Sequence, residues 1–197
     1  MTWRIAPRAW LLVAGVLAAG SLLVWLLPSP WLDWQPRLAV AQPWRCVTAA
    51  FVHWSPQHLG ANLLGVAVVA ALGVAAALPV RAAVAWATAW PLTQLGLLLQ
   101  PDLLHYGGAS GVLHAGVAVA ALWLVVRGRR LERWIGVAVG VGLIAKVVLE
   151  HPFGPPLRTV AGWDIAIAPL AHATGTVAGL LCAAVVLIVP GSSSKQH

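Results

Sequence analysis

Long apolar runs separated by short polar or proline-bearing breaks organise this chain. Six runs stand out: Ala9–Leu27, His58–Leu78, Ala82–Leu99, Ser110–Val126, Trp134–Leu149 and Trp163–Val189. Most are near the roughly 20 residues that a helix needs to cross a bilayer, with Ser110–Val126 short for a full crossing. The pattern predicts an all-α membrane protein: a bundle of six transmembrane helices in a single domain over residues 1–197. Its core covers about 44–189, and 190–197 form a polar tail. Pro28-Ser29-Pro30-Trp31 follows the first run where a signal peptide would carry a small-residue cleavage site, so that run reads as a retained span.

The breaks have their own character. Pro28 to Gln57 is a long loop holding Trp31, Trp34, Trp44 and Trp54, and tryptophan favours the membrane–water interface. Pro79 and Arg81 mark a tight turn, and Gln100-Pro101-Asp102 closes the third run. Arg127–Arg133 is a basic loop, and His151–Gly162 is a proline-bearing one.

Composition narrows the class. Hydrophobic residues make up 60% of the chain and charged ones 9%, against about 25% charged in soluble domains. No sizeable soluble domain fits. The net charge of +7 raises nucleic acid as a partner, but the positions of the charges exclude it. Arg127, Arg129, Arg130 and Arg133 share one loop, and Arg4 and Arg8 precede the first run. With the N-terminus cytoplasmic, six spans return the C-terminus to that side. Arg4, Arg8, Arg81, Arg127, Arg129, Arg130, Arg133 and Lys195 then lie inside, and Arg37, Arg45 and Arg158 outside, a clear positive-inside bias. Cys46 and Cys182 show neither metal spacing nor a disulfide framework. Lys146 and Glu150, four apart, read as a neutralising structural pair.

Polar residues inside the runs carry the candidate chemistry, because an ionisable or polar group in a span is costly and marks function by default. His58 and Asn62 share one face of the second run, and Ser110 and His114 one face of the fourth. His172 lies nine residues into the sixth run, about 13 Å down at 1.5 Å per residue. Each alone has a plain structural reading as an interhelical or local hydrogen-bond partner. Together they converge near the outer ends of three spans. Small residues four apart accompany them: Gly111 and Ala115, Gly136 and Gly140, Gly175 and Gly179. That spacing allows close helix approach in lipid. Ser110 needs a base to become a nucleophile, and His172 can serve. No carboxylate lies inside the second or fourth run or the buried part of the sixth, where Asp164 stands only at the start, so a Ser-His dyad fits better than a triad. His58 and Asn62 can donate to an oxyanion beside the Ser110 N–H. Gly108-Ala109-Ser110-Gly111 is not the G-x-S-x-G elbow of soluble hydrolases, since Val112 stands where that elbow has glycine.

From Trp44 to Gly179 the chain resembles the rhomboid family of intramembrane serine proteases. Four segments carry the resemblance in the family's order: Trp44-Arg45; His53, His58 and Asn62; Gly108-Ala109-Ser110-Gly111; and Ala171-His172-Ala173-Thr174-Gly175 with Gly179. The resemblance implies Ser110 as nucleophile, His172 as base, and His58 and Asn62 as oxyanion donors. It makes Gly108, Gly111 and His114 lining residues, and Trp44, Arg45, His53, Gly175 and Gly179 structural ones, with no metal or cofactor. Many rhomboids place an aromatic residue four after the serine, packed on the catalytic histidine. Here that residue is His114, which looks like the rhombosortase subgroup. Its implied partners are the bilayer and membrane proteins whose C-terminal tails carry a Gly-rich motif, a hydrophobic helix and basic residues. Its implied location is a bacterial inner membrane, with both termini cytoplasmic and the site opening outward. Two other readings compete. One is an inactive rhomboid-like protein that binds membrane clients. The other is a metal or haem protein using His53, His58, His114 and His172.

Overall fold

The structure, a computed structural model, describes residues 7–27 and 31–189. Arg4, the Pro28-Ser29-Pro30 break and the tail 190–197 with Lys195 lie outside them. The described chain is helical: α1 (Arg8–Leu26), a short α2 (Arg45–Thr48), α3 (Pro56–Ala75), α4 (Val80–Leu95), α5 (Ser110–Arg127), α6 (Arg130–Leu149) and α7 (Pro169–Ile188). Five stretches are long and apolar enough to cross a membrane: α1, α3, α4 with its 3-10 extension to Leu99, α5 and α7. The hydropathy pattern predicts six. The remaining helix, α6, is 20 residues long but carries Arg130, Glu132, Arg133 and Lys146, which lower its apolar character.

Two boundaries differ from the sequence reading. The arginine loop is mostly helix, since α6 starts at Arg130 with Glu132 bonding back to the Arg129 N–H at 2.6 Å. The last helix starts at Pro169, not Trp163. Proline suits a first helical turn because its missing N–H is not needed there. Residues 163–168 instead form irregular chain held partly by a bridge between Arg158 and Ile167. Ile165-Ala166-Ile167-Ala168 is as apolar as a helix, so hydropathy alone cannot separate it from α7. His172 therefore sits in the first turn of α7 rather than deep in a span.

The centre of the bundle is α5, with ten of its 18 residues buried. It packs most extensively on α7. A Cβ on Gly111 would lie 2.7 Å from the Ala171 carbonyl oxygen, and Cβ atoms on Gly175 and Gly179 would overlap the carbonyl oxygens of Gly111 and Ala115. On the opposite side, α1 packs against α3 and α4. Its buried Trp10 donates to the Val69 carbonyl at 2.9 Å, and Trp86 of α4 donates to the Val112 carbonyl at 2.8 Å. Both indoles thus bury their rings without leaving an N–H unpaired.

The loop before α3 holds the run before α5. Trp34 and Tyr106 exchange backbone hydrogen bonds at 2.8 and 2.9 Å, and the Gly108 N–H donates to the Ala49 carbonyl at 2.9 Å. Beneath them, buried Arg45 donates from Nη1 to the Asp33 carbonyl at 2.7 Å and to Asp33 Oδ1 at 2.8 Å. His105 Nδ1 meets the other Asp33 oxygen at 2.6 Å. Trp44, next to Arg45, is half exposed.

Candidate active site

The N-terminal ends of α3, α5 and α7 meet the C-terminal end of α6 at one end of the bundle. Ser110 is the first residue of α5, so its N–H is one that the helix cannot satisfy internally. Its Oγ lies 3.0 Å from His172 Nε2. The His114 ring stacks on the His172 ring, with centroids 4.1 Å apart and planes 10° apart, and His114 Nδ1 lies 2.7 Å from the Ser110 carbonyl. Two consecutive turns of α5 therefore present the serine and a flat platform for the histidine.

On the far side of Ser110, α3 brings His58 and Asn62. Ser55 caps that helix, its Oγ accepting from the His58 N–H at 3.0 Å; a serine N-cap is favourable because it satisfies an orphan helix donor. One Asn62 amide proton is used on the His58 carbonyl at 3.0 Å, which leaves the second free. Gly108 has φ +118°, and a Cβ there would lie 2.5 Å from His58 Nε2 and 3.6 Å from Asn62 Nδ2. Glycine is required twice over at this point, by conformation and by the approach of these side chains. His53 stands behind them. Its Nδ1 is 3.1 Å from the Phe51 carbonyl, its ring centroid is 4.7 Å from that of His58, and burial lowers its pKa.

One residue changes the sequence picture. Glu150, the C-cap of α6, places Oε2 2.6 Å from His172 Nδ1. Lys146 Nζ donates to its other oxygen at 2.6 Å, so the predicted pair exists, but it also reaches the imidazole. The expectation that the histidine has no carboxylate partner is corrected. The carboxylate arrives from α6, a helix other than those that carry Ser110, His172 and the oxyanion candidates. Burial by itself would raise the Glu150 pKa, but hydrogen bonds and charge from His172 and Lys146 outweigh it and hold it down to about 2. Tyr106 is a second residue that sequence reasoning passed over. It is buried and donates to the Gly108 carbonyl at 3.3 Å, fixing the turn before the serine.

Ser110, His172, His114, His58, Asn62 and Glu150 line a cleft of about 1140 Å³. Its walls are largely apolar and come from α3 (Gly65, Val68), α5 (Leu113, Val117) and α6 (Val139, Leu143). The chain between Leu157 and Ala168 also lines the cleft. It is tied to α3 where Gln57 Nε2 donates to the Gly162 carbonyl at 2.8 Å and Ser55 donates to Asp164 Oδ1 at 2.8 Å. Among the described residues no group of three or more His, Cys, Asp or Glu side chains converges as a metal site. His114 stacks on His172, and His53 packs against His58 with its ring tilted by 57°.

Arranged this way, the site can move a proton from Ser110 Oγ to His172 and gather N–H donors around an oxygen beside Gly108. A family model described as the rhomboid domain matches residues 40–189. No curated protein matches the chain.

Proposed function

The chain belongs to the rhomboid family, multi-pass membrane proteins that are generally intramembrane serine proteases acting on membrane-protein substrates, and we propose that this one is an active endopeptidase of the rhombosortase kind. The carrying observation is the 3.0 Å contact between Ser110 Oγ and His172 Nε2 in the lining of a largely apolar cleft. Ser110 attacks a substrate carbonyl while His172 takes its proton. The developing oxyanion is met by the Ser110 N–H, the free Asn62 amide proton and His58, at the positive end of the α5 dipole. His172 passes the proton to the leaving amine, and water then hydrolyses the acyl-enzyme.

The whole chain acts as one membrane domain, with α6 as the sixth span. Its ends take the interfacial charges: Arg130, Glu132 and Arg133 on the cytoplasmic side, Lys146 and Glu150 on the outer side. Both termini are cytoplasmic in a bacterial inner membrane, and the site faces outward. The substrate is a protein with a C-terminal tail of a Gly-rich stretch, a hydrophobic helix and basic residues. Glycine costs about 1 kcal/mol of helix propensity against alanine, so such a stretch unwinds readily and obstructs Ser110 little. Basic residues keep the tail end in the cytoplasm and place the glycines at the outer face.

The test joins such a tail to a secreted reporter and co-expresses it with this protein. Wild type should cut at the Gly-rich junction, and a fluorophosphonate probe should label Ser110. Ser110→Ala should abolish both while leaving insertion intact. Turnover by Ser110→Ala within tenfold of wild type would sink the serine-protease reading. An unlabelled, inactive wild type would favour a client-binding protein. Replacing the substrate glycines by leucines should suppress cleavage, and equal cleavage would overturn the specificity alone.

A further inference from the structure

We propose that Glu150 is a positioning residue for His172, so that the hydrogen-bonded path runs Ser110–His172–Glu150 and does not end at the imidazole. The role presupposes the serine-protease reading above. An ionised carboxylate can only accept, so the 2.6 Å contact between His172 Nδ1 and Glu150 Oε2 places the ring proton on Nδ1. Nε2 then carries its lone pair, and it is Nε2 that lies 3.0 Å from Ser110 Oγ. This is the tautomer that a general base for Ser110 requires. During reaction the proton leaves Ser110 Oγ for His172 Nε2 and passes to the leaving amine. Glu150 stays ionised throughout and stabilises the imidazolium between those two transfers.

The surroundings support a fixed role. Lys146 occupies Oε1 at 2.6 Å, leaving Oε2 directed to the ring. The His172 side chain is 8% exposed and that of Glu150 18%, so water competes little for the contact. The stacked His114 ring blocks tilting out of plane, while Glu150 blocks rotation within it. A charge-neutralising pair on a helix needs only Lys146 and Glu150. It does not need a carboxylate oxygen on a nearly buried imidazole of another helix.

The test uses the full-length protein in detergent or liposomes, with cleavage of the tail reporter, fluorophosphonate labelling and thermal melting measured together. In Glu150→Gln, Lys146 retains the amide oxygen, so the NH₂ group faces Nδ1 and drives the ring proton to Nε2. That variant should lose about 10²-fold or more in kcat and in labelling rate, with KM and melting near wild type. Glu150→Asp keeps the charge one methylene shorter and should recover part of the kcat. If Glu150 merely tied α6 to α7, the equally sized amide would suffice. Glu150→Gln within threefold of wild type, with Ser110→Ala inert, overturns the positioning role and leaves the protease reading standing. Should Glu150→Gln fail to fold, Glu150→Asp decides: reduced kcat at unchanged KM supports the role, and wild-type kcat with lowered melting overturns it. A wild type that neither labels nor cleaves removes both readings.

Discussion

Two of the long helices packed on α5 hold it by different means. Against α7, glycine meets backbone: Gly175 lies on the Gly111 carbonyl, and Gly179 on that of Ala115. Against α6, contact is close near the N-terminal end of that helix, where a Cβ on Gly136 would lie 2.8 Å from the Ala121 carbonyl oxygen, and opens toward its C-terminal half. Only Gly136, Leu143 and Val147 of α6 are buried, and Gly142 has open space where a Cβ would stand. Exposed apolar side chains are tolerated in lipid, so close packing is what fixes one helix against another there. The tight seam holds Ser110 and His172, whose separation has to be kept to tenths of an ångström for proton transfer. The loose part of the α6 seam borders the cleft. Rigidity thus sits beneath Ser110 and His172, and room beside them.

The largest expected effect lies in the tight seam. In Gly175→Val the new side chain has only backbone to displace, since its nearest neighbours are atoms of Gly111. Overpacking commonly destabilises by about 1–3 kcal/mol, and rigid backbone on both sides places this case at or above the upper end. The contrasting variant is Gly140→Val in α6, where the nearest atom to a new Cβ is Ala121 Cβ at 3.8 Å. Thermal melting in detergent should show a large drop for the first and almost none for the second. Equal drops would break the comparison.

That seam was legible before the structure because small residues four apart have one main use between helices in lipid. The same pattern misleads at Gly136 and Gly140. A Cβ on Gly136 would lie 2.8 Å from the Ala121 carbonyl oxygen, while Gly140 is open. Spacing places residues on a face, but not at the point where the two helices cross. Ser110, His172, His58 and Asn62 were legible because each puts a polar group where the hydropathy pattern demands none. Glu150 was not. Lys146 four residues earlier explains it fully on one helix, and its approach to His172 is long-range. Arg45 was visible as part of a motif, but its buried partner Asp33, 12 residues away in irregular chain, left no periodic trace. The start of α7 was misplaced because Ile165-Ala166-Ile167-Ala168 carries the hydropathy of a span, and only Pro169 marks the turn into helix.

A smaller effect belongs to the proposed oxyanion donors on α3. Asn62→Ala removes the free amide proton beside Gly108, and His58→Ala removes the neighbouring imidazole. The Ser110 N–H remains, so activity should fall without vanishing. One lost donor costs about 10²–10³ in kcat in well-formed oxyanion holes. The loss should appear in kcat with little change in KM, because the charge exists only in the transition state. Steady-state kinetics on the tail reporter would check it. Unchanged kcat in both variants would leave the α5–α7 seam as the whole of the machinery.

The smallest effect tests the loose side directly. Gly142 lies in α6, lines the cleft, and has nothing within 4 Å of where a Cβ would sit. Gly142→Leu therefore meets no steric penalty in the fold. It also removes a helix-interior glycine, a gain of up to about 1 kcal/mol, so melting should hold or rise slightly. The new side chain would stand in the cleft, the space that a substrate helix would take under the protease reading. A fluorophosphonate is small and reaches Ser110 without filling the cleft, so its labelling rate should stay at the wild-type level. The tail reporter has to occupy that space, and its KM should rise by about threefold to tenfold with kcat little changed, the pattern of lost ground-state binding. Divergence between the two readouts is the informative result. If the reporter's KM is also unchanged, α6 does not border the substrate's path, and its loose packing needs another explanation. If labelling falls as well, the substitution has disturbed Ser110 itself, and the two sides of α5 are not independent.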